Sequence, residues 1–143
     1  MTEYEQITQL VTLLNGEWNA DNVAKPDIED ITDESKESVI DLRQADKCLL
    51  YEVSYSEEWA DLNCYGLRVE GIYSIDIRTI VGRTRLKDLF NEVKRILIAN
   101  RHNPFTGIQH INPQARRDLS DRRKKIYRYV YDVALVNPYK SST

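Results

Sequence analysis

At 143 residues, with 41% apolar and 30% charged side chains, the chain can build one domain around a hydrophobic core, whereas two independent domains would each be marginal. No purely apolar run is longer than Ile96 to Ala99, far short of a bilayer span, and the N-terminal MTEYEQ lacks the basic start and apolar run of a signal peptide. The net charge of -3 hides a division, because residues 1–63 carry 16 acidic and 4 basic side chains (net -12) and residues 64–143 carry 7 acidic and 16 basic (net +9). Three arrangements accommodate that asymmetry: pairing within one fold, head-to-tail complementarity between copies, or a basic face offered to nucleic acid. Cys48 and Cys64 are the only cysteines, so a reducing compartment is expected, with a disulfide between them left open.

Thr2 to Leu14 reads as a helix, with Thr2 and Glu5 in capping-box spacing, an apolar stripe of Tyr4, Ile7, Leu10, Val11 and Leu14, and Asn15-Gly16 as the stop. Residues 17–37 are acid-rich with sparse apolar anchors and a proline at 26. They read as an extended arm without regular structure, lying along its own body or reaching a neighbouring subunit. Val39 to Arg43 and Lys47 to Tyr55 read as a hairpin, the second strand alternating Leu49, Tyr51, Val53 and Tyr55 with Cys48, Leu50, Glu52 and Ser54. Ser56 to Tyr65 is then a polar loop around Trp59, which either anchors an interface or folds back on the core.

Gly66 to Arg101 carries the two cleanest periodicities in the chain. Leu67, Val69, Tyr73, Ile75 and Ile77 alternate with Arg68, Glu70, Ser74, Asp76 and Arg78, the pattern of a half-buried strand. Leu86, Leu89, Phe90, Val93, Ile96 and Leu97 then recur at spacings of three and four, with Lys87, Asp88, Glu92, Lys94 and Arg95 assigned to the opposite, solvated side of a helix. Arg101 to Arg117, punctuated by two Asn-Pro pairs and a glycine, reads as a second long loop. Ile126 to Val136, with Tyr127, Tyr129, Tyr131, Val133 and Leu135 on one side, is the last strand. The expected fold is α+β: a mostly antiparallel sheet of about four strands with two helices packed on one face. It is divided into an N-terminal helix (1–16), the acidic arm (17–37), a sheet-helix body (38–136) and a tail (137–143).

Reactive chemistry is not expected. His102 and His110 match no metal-site spacing, the serines lack a nucleophile elbow, Glu92-Val93-Lys94 lacks a strand aspartate before it, and Gly82-Arg-Thr lacks phosphate-loop spacing. No catalytic residue, metal or cofactor is therefore assigned. The charged cluster that stands out is Arg116, Arg117, Arg122, Arg123, Lys124 and Lys125, with Arg128 beyond it. It is a candidate contact for phosphate, without an aromatic platform for reading bases, or for the acidic arm of the same or another chain. Asp118 and Asp121 dilute its charge.

Over roughly residues 36–136, the order hairpin, long strand VEGIYSIDIRTIVGR, helix RLKDLFNEVKRILIAN, Pro-containing loop and last strand RRKKIYRYVYDVALV resembles the tail terminator and tail-completion proteins of long-tailed bacteriophages and archaeal viruses. The resemblance implies a non-catalytic virion protein, made in the host cytoplasm, that forms a ring, usually a hexamer. It would cap the tail tube, stop its polymerisation and meet the neck or head-completion proteins. Loops 17–37, 56–65 and 102–125 would then make the contacts, with Trp18, Ile28, Ile31, Trp59, Phe105 and Ile108 as candidate interface residues and passing DNA as an occasional neighbour of the basic segment. The alternatives are another head-tail connector and a small nucleic-acid-binding module using residues 116–128.

Overall fold

The strand and helix periodicities at the centre of the chain hold in the computed structural model, which describes residues 6–31, 46–59, 67–105 and 108–137. Strand β3 (Leu67–Thr79) runs into helix α2 (Arg83–Ala99), and Tyr73, Ile75 and Ile77 face Leu86, Leu89, Val93, Ile96 and Leu97 in one buried cluster. Asn100 closes α2 by directing both its backbone N–H and its side-chain amide to the Ile96 carbonyl, at 3.1 and 2.8 Å.

Helix α1 (Gln6–Glu17) lies on the same side of the sheet and adds Ile7, Leu10, Leu13 and Leu14 to the core. It runs through Asn15-Gly16 instead of stopping there. Asn15 turns its amide back to the Val11 carbonyl, and the Arg95 guanidinium donates to the Glu17 carbonyl at 2.8 Å, placing a cation on the helix's negative end. The Thr2–Glu5 cap lies outside the described residues. Gln6 joins α1 to the sheet: its amide N–H donates to the Leu135 carbonyl at 3.3 Å, and its Oε1 accepts from the Tyr73 hydroxyl at 3.1 Å. A glycine is needed at 71, since a Cβ there would meet Gln6 Oε1 and the Tyr73 ring at 2.5 Å.

Among the described residues the sheet has six strands in the order β1-β2-β3-β6-β5-β4, with β1 (Asp27–Asp30), β2 (Lys47–Trp59), β4 (His102–Phe105), β5 (Ile108–Asp118) and β6 (Tyr127–Asn137). All neighbours are antiparallel except β1 and β2. The α+β class and the two helices on one face agree with the sequence reading; three stretches do not. The acidic arm contains β1, whose Ile28 is buried in the core and whose pairing with Lys47–Leu50 occupies the edge assigned to a hairpin partner at 39–43. That partner lies outside the described residues. Ser56–Trp59 continues β2 opposite Leu67–Glu70 instead of opening a loop.

The supposed loop 101–117 is the third: it forms β4 and most of β5. Proline is tolerated here because β4 is the sheet's edge and Pro113 sits where the β5–β6 register shifts before Arg116.

The alternation in β2 also differs from expectation. Cys48 and Leu50 face the helices, Leu49 is buried on the other face, and a bulge between Glu52 and Ser54 leaves Val53 and Tyr55 57% and 47% exposed. The second face of the sheet is not simply solvated either. Ser74 and Asp76 are buried there with Val130, Ala134 and Val136.

Candidate functional site

The basic segment is the end of the β5–β6 hairpin, and strand alternation divides its cations among three places. Arg116 lies on the helix side, its guanidinium 4.3 Å from the centre of the Tyr129 ring and 4.7 Å from that of Phe90. Arg117 points to the other face, 3.6 Å from Asp132, whose carboxylate also accepts from the Ser74 hydroxyl at 2.6 Å. Arg128 shares that face and donates from Nε and Nη2 to Asp76 at 2.9 and 2.7 Å. Arg78 makes a matching pair of bonds, so two guanidiniums clamp one buried carboxylate; hydrogen bonding to Asp76 holds the Arg128 charge more firmly than usual.

Arg122, Arg123, Lys124 and Lys125 remain at the tip, all exposed, and no described carboxylate forms an ion pair with them. The tip is shaped by the two aspartates that dilute its charge in the sequence. Asp121 pairs its backbone with Ile126 and its Oδ1 accepts the N–H groups of Arg123 and Lys124 at 3.1 and 3.3 Å. Asp118 accepts the Ser120 N–H at 3.0 Å and lies 3.4 Å from Arg83, with the Ser120 hydroxyl the main cause of its lowered pKa. Lys125 closes the turn at φ 55°, a left-handed conformation that costs a residue with a Cβ about 1 kcal/mol or more.

At the other end of the sheet the charge is reversed. Strands β1 and β2 carry six acidic side chains and one basic, against three acidic and seven basic over residues 108–137. Asp27 is paired with Lys47 at 2.6 Å, while Glu29, Glu52 and Glu57 are exposed, Glu57 accepting from the Tyr55 hydroxyl at 2.9 Å.

The candidate interface residues are scattered. Ile28 belongs to the subunit's own core, and Trp18 packs half-buried against it with its indole N–H on the Val23 carbonyl at 3.0 Å. Ile31 is half-buried, its N–H on the Leu50 carbonyl. Trp59, Phe105 and Ile108 hold positions in β2, β4 and β5, and their side chains lie outside the described residues. Sequence reasoning missed Val53, Tyr55, Glu52, Glu57 and Leu119. Leu119 is 45% exposed beside the basic tip. The end at Tyr51 of the continuous apolar run Cys48–Tyr51, after which Val53 and Tyr55 only alternate with Glu52 and Ser54, is the one signal that could have found the β2 residues.

Among the described residues three carboxylates are buried, and each is consumed by internal contacts. Asp46 accepts from the Thr79 hydroxyl at 2.6 Å and from Arg85 at 2.7 Å, and Arg85 also reaches the Ala24 carbonyl. Asp76 is clamped by its two arginines. Glu92, expected on the solvated side of α2, is 2% exposed, because the turn after α1 folds over it. It accepts from the Asn19 N–H at 2.8 Å, the Asn22 amide at 2.9 Å and twice from Arg95. Those bonds, Arg95 foremost, hold its carboxyl down at about 2. His102 and His110 face each other across β4 and β5 with rings 5.5 Å apart and nearly perpendicular. Among the described residues no group of three or more His, Cys, Asp or Glu side chains is placed to hold a metal.

In comparisons with known proteins, the chain matches no protein-family model and no curated protein sequence.

Proposed function

We propose that this protein is a structural ring subunit of a virus tail, closing the head-proximal end of the tail tube and joining it to the neck, without catalysing a reaction. The observation that carries this reading is the division of charge along one sheet, acidic at β1–β2 and basic at β5–β6. A closed ring is built from heterologous contacts, in which one surface of a subunit meets a different surface of the next, and oppositely charged ends of one rigid sheet supply such a pair. The resemblance to tail terminator proteins adds the place, a virion tail or neck reached from the host cytoplasm, and a hexamer as the expected ring. The buried carboxylates fit a scaffold, since each joins secondary-structure elements and none is left to act on a substrate.

Sedimentation velocity and native mass measurement of the full chain, alone and with the tube protein of the same virus, test this reading, with electron microscopy of the product. Rings are expected. A protein that stays monomeric under all of these conditions overturns it. The four exposed cations at the hairpin tip favour one second reading, a monomeric binder of nucleic-acid phosphate. A steep fall of DNA retention with salt, abolished when Arg122, Arg123, Lys124 and Lys125 are changed to serine, would select it.

A further inference from the structure

We propose that neighbouring copies join by seating the β5–β6 hairpin tip of one, residues 119–126, against the Glu52–Glu57 edge of β2 in the next. The inference rests on the ring reading and names its contact. Strand β2 is 13 residues long, but β1 pairs only with Lys47–Leu50, so beyond Leu50 its described pairing is to β3 alone. A strand edge that no described residue pairs with is a candidate surface for another chain. Here every side chain from Glu52 to Glu57 is exposed, and the stretch bounded by Glu52 and Glu57 includes the apolar Val53 and Tyr55. The tip has the complementary composition, exposed Leu119 beside Arg122, Arg123, Lys124 and Lys125. An apolar centre with a charged rim is the usual make-up of a specific interface.

The two surfaces cannot satisfy each other within one copy. Registers align Glu52 with Tyr73 and Val133, and Glu57 with Val69 and Asn137, whereas the tip leaves the sheet at Tyr127 beside Thr79. At about 3.3 Å per residue along a strand and about 4.8 Å between strands, the two acids lie roughly 20–35 Å from the base of the tip. That exceeds the screening length of about 10 Å at 0.1 M salt. Among the described residues, the acids nearest the tip are also engaged, Asp121 with backbone N–H groups and Asp118 with Ser120 and Arg83. Among the described residues no acid of the same copy neutralises the tip, which leaves that role to a second copy, and because the two surfaces differ, the contact is head-to-tail.

The test uses charge reversal in the full chain, read by native mass and sedimentation. Arg122→Glu with Arg123→Glu and Lys124→Glu, or Glu52→Lys with Glu57→Lys, each weakens assembly by about tenfold or more, as like charges across an interface do. Combining all five in one chain restores assembly, which also shows that the parts still fold. Assembly untouched by either reversal overturns this contact while leaving the ring standing. A wild-type chain that never assembles overturns the ring itself. Tip reversal that abolishes DNA retention but leaves assembly intact assigns the tip to phosphate and overturns the contact.

Discussion

Replacing Glu92 with glutamine keeps the side chain's shape and an acceptor oxygen but removes the charge that the turn after α1, Asn22 and Arg95 are gathered around. The carboxyl sits at about 2 in the folded protein against an ordinary 4.5, a difference that corresponds to roughly 3 kcal/mol. Arg95 is 42% exposed, so part of its attraction is screened by water, and about 2 kcal/mol is the expected loss at pH 7. The sign follows from the direction of the shift. A carboxyl lowered on folding stabilises fully above its unfolded value and loses that stabilisation as pH falls from 4.5 through about 2. Urea unfolding of wild type and Glu92→Gln should therefore show a gap of about 2 kcal/mol at pH 7 that narrows steadily between pH 5 and pH 2. Equal stabilities at pH 7, or a gap that does not change with pH, would refute the claim that this charge pins α1 to α2.

Gly71→Ala should destabilise by about 1–3 kcal/mol, because the new methyl group drives into Gln6 and Tyr73, with a thermal melt as the check. Asp76→Ala should cost about 3 kcal/mol in urea unfolding, since it leaves Arg78 and Arg128 without their common partner. Lys125→Gly should raise the melting stability by about 1 kcal/mol by removing the left-handed strain at that turn. Burial pushes the Cys48 thiol far up, so in a Cys64→Ser background it should be inert to a thiol reagent while folded and react fully in urea.

The helix-on-strand nucleus was legible because its burial is one-sided and long. The six residues of the α2 stripe, Leu86, Leu89, Phe90, Val93, Ile96 and Leu97, are buried, with Ile98 off the stripe and exposed, and Tyr73, Ile75 and Ile77 of β3 are buried too. Shorter or two-sided elements left weaker traces. Strand β1 has one apolar residue, Ile28, and is a strand because β2 pairs with it, so no periodicity announces it. Pro104 and Pro113 concealed β4 and β5, since an edge and a bulge accept proline where a central strand would not. Glu92 and Asp76 read as solvated by their positions in helical and strand patterns. What buries them is remote: the turn after α1 in one case and an arginine two strand positions away plus another across β6 in the other. The candidate site was half legible. The basic run was plain in the sequence, but its division among two faces and a tip, and the acidic edge opposite, depend on register.

The length of β2 that no described strand pairs on its outer side also says how copies should not meet. Two identical edges brought side by side would bring the Glu52 and Glu57 carboxylates of one onto those of the other, and like charges across paired strands repel. Symmetric dimers through that strand are thereby discouraged, as is the runaway edge-to-edge stacking to which a bare strand is prone. An acidic border of this kind acts as a polarity filter: it gives any chain of subunits a direction.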